Sequence, residues 1–301
     1  MNDFRRRQLK RIRMRIDRIL PIALVIIVIA FFAILYCREM RSSPRAVIDE
    51  NMLTVRYFDV GQGDCALISF PVGNDILIDS GPSSSYRKLI SEIKRAKRGK
   101  IEYFILTHFD EDHIGGADEI FASFDIGTLI IPQEESDSLH YLELMKAYEK
   151  EDGCVLRYAV RGDKTEIADS SLTILFSRGK DEAREENDSV VAYLEYGENS
   201  FLFMGDLEEK SETELISALG GDFDCDVLTV AHHGSSTSTS DAFLDFVKPR
   251  AAVISCGKDN PFGHPNARVL EALEKRNVVI LRTDESGTII LQSDKKQVYQ
   301  R

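Results

Sequence analysis

Short apolar runs that end in Gly, Asp or Asn dominate the chain between residues 52 and 294. Such runs, rich in β-branched and aromatic residues, are typical of buried strands. The first three, LTVRYFDV, ALISF and DILIDSG, are separated by short turns and predict a meander. Later runs predict strands at residues 101–106, 128–132, 155–160, 172–176, 190–196, 201–204 and 227–230.

Segments with helical spacing of apolar residues lie between many of these strands. They predict helices at residues 86–98, 117–124, 137–151 and 208–219. Two more alternations of helix and strand complete the chain, and the sequence DESG at residues 284–287 predicts a terminal hairpin. Strand clusters interleaved with helices, in two similar halves, predict an α/β (α+β) fold with two sheets covered by helices on their outer faces.

The amino terminus has a different pattern. Residues 1–18 contain eight Lys and Arg against two Asp, and residues 19–37 form an uncharged run. At about 1.5 Å per residue this run just crosses a hydrocarbon core of about 30 Å, which predicts an uncleaved transmembrane anchor. We expect a linker at residues 38–51 and a folded domain at 52–301. The positive-inside rule predicts a cytoplasmic tail and a folded domain outside the cell membrane.

Charge and cysteine content narrow the candidate chemistry. The formal charge of −12 combines +6 in residues 1–18 (eight basic, two acidic) with −18 in the remainder, a field that disfavours tight binding of long polyanions. None of the five cysteines has a C-x-x-C spacing, so the sequence gives no thiolate metal motif. Nitrogen and oxygen donors are therefore the candidate ligands.

Potential ligands are densest in the stretch IEYFILTHFDEDHIGG at residues 101–116. After its apolar run come His108, Asp110, Asp112 and His113, at the carboxyl end of the predicted strand, where sheets often carry their sites. Imidazoles and carboxylates so close together are best satisfied by a shared cation. This spacing predicts a metal site.

Three further polar clusters follow apolar runs. They end on Asp79, on Asp206, and on the pair His232 and His233, and a later loop, SCGKDNPFGHP, presents Lys258, Asn260 and His264. Five of the six histidines thus lie in strand-end loops, whereas His140 is predicted on a helix surface. Helix capping or a turn would also explain Asp79, Asp206 and His264.

Five motifs in fixed order carry a family resemblance: DVGQGDCALI, LIDSG, THFDEDHIGG, FMGDLE and VAHHGSSTS. Over about residues 52–294 they resemble the metallo-β-lactamase fold, and more narrowly the metallo-hydrolase domain of ComEC-type competence proteins. The resemblance implies a four-layer αββα sandwich with its metal site on the rim between the sheets. It also implies two divalent ions, manganese or zinc with magnesium as an alternative, and hydrolysis as the chemistry.

Carried over to this sequence, the resemblance implies His108 and Asp110 as ligands of one metal and Asp112 and His113 as ligands of the second. Asp206 would bridge both ions, and one of His232 and His233 would complete the second site, where we expect His232. Asp79 would orient a ligand imidazole without touching the metal.

The sequence departs from the wider superfamily pattern, H-x-H-x-D-H, at two places. Asp110 stands where the second histidine is usual, as in ComEC-type domains, and the histidine of the third motif is missing. Asn187 or Asp188 is the candidate for that role. Oxygen donors in place of nitrogen favour harder ions.

The predicted function is a membrane-anchored, outward-facing, metal-dependent hydrolase, a phosphodiesterase or nuclease that acts on a phosphodiester such as DNA. A metal-activated water would be the nucleophile, oriented by Asp112, and His233, His264 or Lys258 would donate to phosphoryl oxygens. The missing third-motif histidine favours an alternative, a non-catalytic binding or adaptor protein with a degraded metal site.

Overall fold

Two β-sheets organise the part of the chain that this computed structural model describes, residues 48–96, 100–183, 185 and 187–301. The strands are, in chain order, β1 (Leu53–Tyr57), β2 (Ala66–Ser69), β3 (Asp75–Ile78), β4 (Ile101–Ile105), β5 (Ile126–Ile131), β6 (Val155–Tyr158), β7 (Lys164–Ile167), β8 (Ser170–Phe176), β9 (Val191–Tyr196), β10 (Asn199–Phe203), β11 (Val227–Thr229), β12 (Ala251–Ile254), β13 (Val279–Arg282), β14 (Ile289–Ser293) and β15 (Val298–Gln300).

Helices connect many of these strands. They are α1 (Tyr86–Ala96), α2 (Glu111–Ile114), α3 (Ala117–Phe121), α4 (Leu139–Tyr148), α5 (Glu209–Leu219), α6 (Asp241–Val247), α7 (Ala267–Lys275) and α8 (Thr283–Ser286), with a 3₁₀ turn at Ala231–Gly234. The first sheet has the order β15-β14-β1-β2-β3-β4-β5-β6, and the second has the order β13-β12-β11-β10-β9-β8-β7.

Alternating side chains of the strands build the core in layers. In β10, Phe201 and Phe203 pack between the sheets, whereas Leu202 packs outward, as the two-residue period of a strand requires. The outer face of the first sheet is covered by residues of α1, α3 and α4, and that of the second sheet by residues of α5, α6 and α7. The result is the predicted αββα sandwich of mixed α/β class.

Parallel strands bring the predicted site loops to one rim of the sandwich. Strands β3, β4 and β5 run parallel in the first sheet, and β10, β11 and β12 run parallel in the second. The loops at the carboxyl ends of neighbouring parallel strands lie side by side. The polar clusters after β3, β4, β10, β11 and β12 therefore meet at the end of the molecule where the two sheets open.

The predicted terminal hairpin through DESG is wrong. Strand β13 pairs with β12 in the second sheet, while β14 pairs with β1 and β15 in the first. Asp284, Glu285 and Ser286 lie in the single turn of α8. Gly287, with φ of 70°, ends that turn, and the chain then crosses to the other sheet. The terminal hairpin is formed instead by β14 and β15.

The predicted membrane segment lies outside the described residues, as do the basic tail and most of the linker. Among residues that the structure does describe, no helix combines the length and apolar character that a membrane span needs. The described fold enters its first strand at Leu53. The predicted helix at 137–151 is α4, and the predicted meander is formed by β1, β2 and β3, which pair antiparallel in succession.

Candidate metal centre

The loop after β4 turns tightly so that its polar side chains face inward. The carbonyl of Asp110 accepts hydrogen bonds from the backbone nitrogens of both His113 and Ile114, which closes the turn of α2. His108 and His113 are buried at the rim, while the side chain of Asp110 points towards solvent. One short loop thus supplies both buried and accessible donors.

The imidazole of His113 is held between two carboxylates. Its Nδ1 lies 2.9 Å from Oδ2 of Asp79, and its Nε2 lies 3.1 Å from Oδ1 of Asp206. Because a carboxylate can only accept, the ring proton of neutral His113 belongs on Nδ1. Nε2 then faces Asp206 with a lone pair, so two acceptors oppose each other with no proton between them. A cation would satisfy both.

His108 is oriented in the same way through a hydroxyl. Thr107 Oγ1 donates to Oδ2 of Asp79 at 2.8 Å, so it can only accept from His108 Nδ1, which lies 3.1 Å away. Ser189 Oγ lies 3.3 Å from the same nitrogen. Nε2 of His108 is buried and has no hydrogen-bond partner in the described part of the chain. It lies 3.8 Å from Oδ2 of Asp110 and 3.9 Å from Oδ2 of Asp206.

His233 repeats the arrangement from the opposite sheet. Its Nδ1 donates to the carbonyl of Ser255 at 2.9 Å, which leaves the Nε2 lone pair facing Oδ2 of Asp112 at 3.1 Å. The same Nε2 lies 3.7 Å from Oδ2 of Asp206. Three imidazoles from two sheets therefore turn their Nε2 atoms towards carboxylates.

Four buried residues form what we call the inner group: Asp64, His113, Asp206 and His233. One donor atom from each lies within 4.8 Å of the others. Asp64 reaches the group because its loop passes very close to the β4 loop. A Cβ on Gly63 would lie 2.2 Å from the carbonyl oxygen of Asp112, and the φ of Gly63 is 131°, so only glycine fits.

Three residues around the second oxygen of Asp206 form the outer group: His108, Asp110 and His232. His232 Nε2 lies 3.7 Å from Oδ2 of Asp206, and its Nδ1 lies 3.4 Å from Oε1 of Glu208. The Asp110 side chain is 65% exposed and that of His232 is 23% exposed, whereas those of His113 and His233 are 0% and 1% exposed. The outer group borders the solvent.

In the absence of metal, the pKa values of the buried histidines shift in opposite directions in the two groups. Burial lowers the pKa of His233, but Asp206, Asp112 and Asp64 outweigh it and raise that pKa to about 10. Burial also lowers the pKa of His113, but the carboxylates of Asp206 and Asp79 outweigh burial and raise that pKa well above its usual value. Burial, reinforced by His113, lowers the pKa of His108 to about 4. Without metal, protons supply the positive charge that the inner group requires.

These residues fit divalent ions. Metal bonds to imidazole nitrogen and carboxylate oxygen of about 2.0 to 2.2 Å place two ligand atoms roughly 3.0 to 3.5 Å apart. The 3.1 Å distances from His113 to Asp206 and from His233 to Asp112 lie in that range. The set of imidazoles and carboxylates suits zinc, manganese or iron. The unpartnered atoms His113 Nε2, Asp206 Oδ1 and His108 Nε2 are all buried here.

Two residues considered for the missing third-motif position are engaged elsewhere. Both carboxylate oxygens of Asp188 bind the Arg178 guanidinium, at 2.8 and 3.2 Å, and Oδ1 also accepts from Ser211. The amide of Asn187 donates to Oε1 of Glu208 at 3.0 Å.

The remaining predicted residues lie at different distances from the centre. The His264 ring packs 5.6 Å from that of His232 and 6.3 Å from that of His233, so it borders the site. Lys258 is exposed on the loop after β12. His140 lies on α4 beside Glu143, outside the centre. Asp79 holds His113, in the position expected of a residue that orients a ligand.

Sequence reasoning missed several residues that build the centre. Asp64 belongs to the DVGQGDC motif and could have been suspected from its two glycines. The others orient ligand rings through a hydroxyl, a carboxylate or a backbone carbonyl, which no spacing marks: Thr107, Ser189, Glu208 and Ser255.

Comparison with known proteins gives relatives along most of the chain. ComE operon protein 3 of Bacillus subtilis (strain 168) is 33% identical over 252 residues, which cover 78% of this chain and 32% of the relative. Competence protein ComA of Neisseria gonorrhoeae is 29% identical over 249 residues, which cover 82% of this chain and 33% of the relative. The chain thus spans about a third of the length of these curated relatives.

Solved structures agree on the fold. The metallo-beta-lactamase fold protein YhfI from Bacillus subtilis superposes with a TM-score of 0.54 and 10% identity, over 83% of this chain and 100% of that protein. At this identity the likeness establishes the fold alone. Residues 58–258 match the family model described as Metallo-beta-lactamase superfamily. With this match, the sandwich and the rim site in agreement, the chain belongs to the metallo-beta-lactamase superfamily and is homologous to competence proteins.

Proposed function

We propose that this protein is a metal-dependent hydrolase of phosphodiesters. The observation that carries the proposal is the orientation of three buried or nearly buried imidazoles, His108, His113 and His233. Each commits its Nδ1 to an acceptor and turns Nε2 towards carboxylates. Three Nε2 atoms held against carboxylates require positive charge between them, from ring protons or from metal ions, which suits a centre that binds cations.

Two divalent ions at such a centre would lower the pKa of a bound water towards neutrality and withdraw charge from phosphoryl oxygens. Asp206 could serve both ions because imidazoles of both groups surround its two oxygens: His113 lies near Oδ1, and His108, His232 and His233 lie near Oδ2. Asp79, Thr107 and Ser255 fix the ring orientations beforehand, so little reorganisation accompanies metal binding.

Residues at the open side are suited to handling water and substrate. His233 lowers the pKa of Asp112 to about 2 despite partial burial, so Asp112 is ionised at neutral pH and can accept a hydrogen bond from water. The ring of His264 borders the same space, and partial burial with the nearby His233 and His232 lowers its pKa. A neutral His264 can donate one hydrogen bond to a phosphoryl oxygen.

The charge of the domain favours short substrates over long nucleic acids. Residues 48–301 carry 27 Lys and Arg against 47 Asp and Glu, a formal charge of −20. A cavity of about 290 Å³ beside His108 and Asp110 is also lined by Glu134, Glu135 and Glu185. Such a field repels polyanions at low salt. The homology to competence proteins supports DNA as the alternative substrate, and the predicted membrane anchor with an outward-facing domain is part of this proposal.

Hydrolysis of bis(p-nitrophenyl) phosphate by the purified full chain tests the proposal. We expect turnover with manganese or zinc and none after chelation. The His108→Ala, Asp112→Ala double variant should lose it, because each residue belongs to the centre. His140→Ala is the matched control, a histidine outside the centre, and should retain full activity.

Turnover with manganese or zinc that survives the double variant would contradict the assignment of the site. Absence of turnover with either metal, with short oligonucleotides included as substrates, would favour the binding or adaptor protein instead. Cleavage of oligonucleotides without turnover of the small diester would identify a nuclease.

A further inference from the structure

The outer group lacks the histidine that the superfamily pattern supplies from its third motif. Between His113 and His232 the chain has only His140, which lies on α4 and pairs with Glu143. His108, Asp110 and one oxygen of Asp206 face the outer position, and the imidazole that the third motif supplies in the superfamily pattern is absent from it.

The residues in the third-motif loop do not provide that donor. Asp188 is bound by both oxygens to Arg178, and opening this buried ion pair would leave a guanidinium without its partner. Asn187 gives its amide to Glu208. Ser189 approaches His108 at Nδ1, the side of the ring opposite to the atom that faces Asp206.

His232 presents a nitrogen at the required place. Its Nε2 lies 3.7 Å from Oδ2 of Asp206, the same oxygen that lies 3.9 Å from His108 Nε2. His233 Nε2 also lies 3.7 Å from that oxygen, but it is 3.1 Å from Oδ2 of Asp112, so the two rings differ in their second carboxylate. The Nδ1 of His232 is buried, makes no hydrogen bond within the described part of the chain, and lies 3.4 Å from Oε1 of Glu208. A carboxylate at this distance favours the proton of the neutral ring on Nδ1, and the Nε2 lone pair then faces the outer group.

The backbone explains how adjacent histidines can serve different positions. His232 and His233 both have left-handed conformations, with φ of 51° and 54°, and Gly234 follows with φ of 82°. This tight turn sends the His233 ring towards Asp112 and Asp64, and the His232 ring towards Glu208. Left-handed non-glycine residues are strained and are retained chiefly at functional sites.

We infer that His232 replaces the missing third-motif histidine as a ligand of the outer metal, that His233 serves the inner metal, and that Glu208 is a positioning residue for His232. The inference rests on the metal centre of the proposed function and reverses the expectation that His232 completes the site of Asp112 and His113. Thr237 Oγ1 and Asn187 Nδ2 both donate to Glu208 Oε1, at 2.8 and 3.0 Å, and so hold that carboxylate in place.

Metal content and affinity of the full chain test this assignment without reference to activity. The protein is titrated with manganese or zinc by calorimetry, and bound metal is counted by mass spectrometry after removal of free ions. We expect two ions in the wild type. His232→Gly should keep one tight ion and weaken the other by at least about tenfold, whereas His233→Gly should weaken the tighter one.

Glycine is chosen because it adopts the left-handed backbone without strain, so loss of metal cannot be attributed to a misfolded turn. His140→Ala, at a histidine on α4 that pairs with Glu143, should retain both ions at wild-type affinity. Glu208→Ala should weaken the outer ion about 10-fold to 100-fold, and Glu208→Gln should largely restore it, because an amide oxygen can still accept from His232 Nδ1.

Retention of both ions at wild-type affinity in His232→Gly would overturn the inference, as would loss of an ion in His140→Ala. A wild type that binds fewer than two ions would also overturn it. Two bound ions with the expected variant pattern but no phosphodiester turnover would uphold the ligand assignment and reject the proposed function, so the two failures are distinguishable.

Discussion

The inner and outer groups share one carboxylate but differ in how the fold holds them. The inner group is buried, its histidines carry raised pKa values, and its members come from four separate loops. The outer group borders solvent, and the pKa of its buried member His108 is lowered. This difference teaches that tertiary packing buries the donors of one group in advance and leaves those of the other group accessible to water.

Asp206→Asn should have the largest effect, because it removes the oxygen charge that both groups share. We expect metal affinity at both positions to fall by more than about 100-fold, beyond the loss that outer-shell changes cause. Activity should become undetectable. Calorimetric metal titration measures this, and Asp226→Asn is a matched control, since Asp226 precedes β11 and binds Arg250 and Ser200. If Asp206→Asn still bound an ion tightly, Asp206 would not be a ligand that both groups share.

Asp79→Asn should have the next largest effect and should fall on both groups. Asp79 binds His113 directly and reaches His108 through Thr107. We expect a loss of about 10-fold to 100-fold in metal affinity. Asn tolerates the left-handed backbone of Asp79, whose φ is 55°, so the loop should keep its shape. A loss confined to one ion, seen in the same titration, would show that the Thr107 relay is not needed.

The two groups should also differ in their response to pH. In the metal-free protein the pKa of His233 is raised to about 10, so its contribution to stability is fully present below pH 6.5 and is lost as the pH rises through about 10. Thermal unfolding of the chelated chain should therefore show Tm falling between pH 6.5 and 10. With metal, Tm should rise over the lower part of this range, because binding requires deprotonated imidazole.

His233→Gln is the control for this pH effect, since it removes the titrating ring. The decline in Tm of the chelated protein should become shallower in that variant. A decline equal to that of the wild type would assign the effect to other groups and remove the electrostatic contrast between the inner and outer groups.

Ser189→Ala should have the smallest effect on metal binding, and that effect should be confined to the outer group. Ser189 Oγ lies 3.3 Å from His108 Nδ1 and accepts from the backbone nitrogen of Asp206 at 3.0 Å. We expect less than about tenfold loss of the outer ion and no change in the inner one, because Thr107 still orients His108. The free energy of unfolding should fall by about 1 to 3 kcal/mol, since a buried nitrogen loses its acceptor. Denaturant titration would detect this, and a larger loss at the inner ion would contradict it.

Much of this architecture could be predicted because buried strands appear in the sequence as apolar runs. The apolar runs of β3, β4, β10 and β11 marked the strand ends, and the polar residues behind them proved to share one rim. The DESG hairpin failed because a short Gly-containing turn looks the same whether the next strand joins the same sheet or crosses to the other. Strand β7 was missed because its Lys, Thr and Glu are partly or fully exposed and give no apolar run.

The residues that orient the ligands were harder to predict. Ser255 acts through its carbonyl, which every residue has, and Glu208 differs from the surrounding acidic residues only by its position in space. Asp64 approaches the centre because Gly63 permits contact with Asp112, 49 positions along the chain from that glycine. Such contacts depend on the packing of distant loops. The different directions of the His232 and His233 rings likewise depend on a left-handed turn that sequence alone does not mark.

That turn ties the two groups to one short piece of backbone. His232 and His233 are consecutive in the chain, and Gly234 closes the turn with φ of 82°. A Cβ on Gly234 would lie 2.7 Å from Cβ of Pro265, so a larger residue there would displace both rings together. The geometry of both groups therefore depends on one residue that carries no side chain.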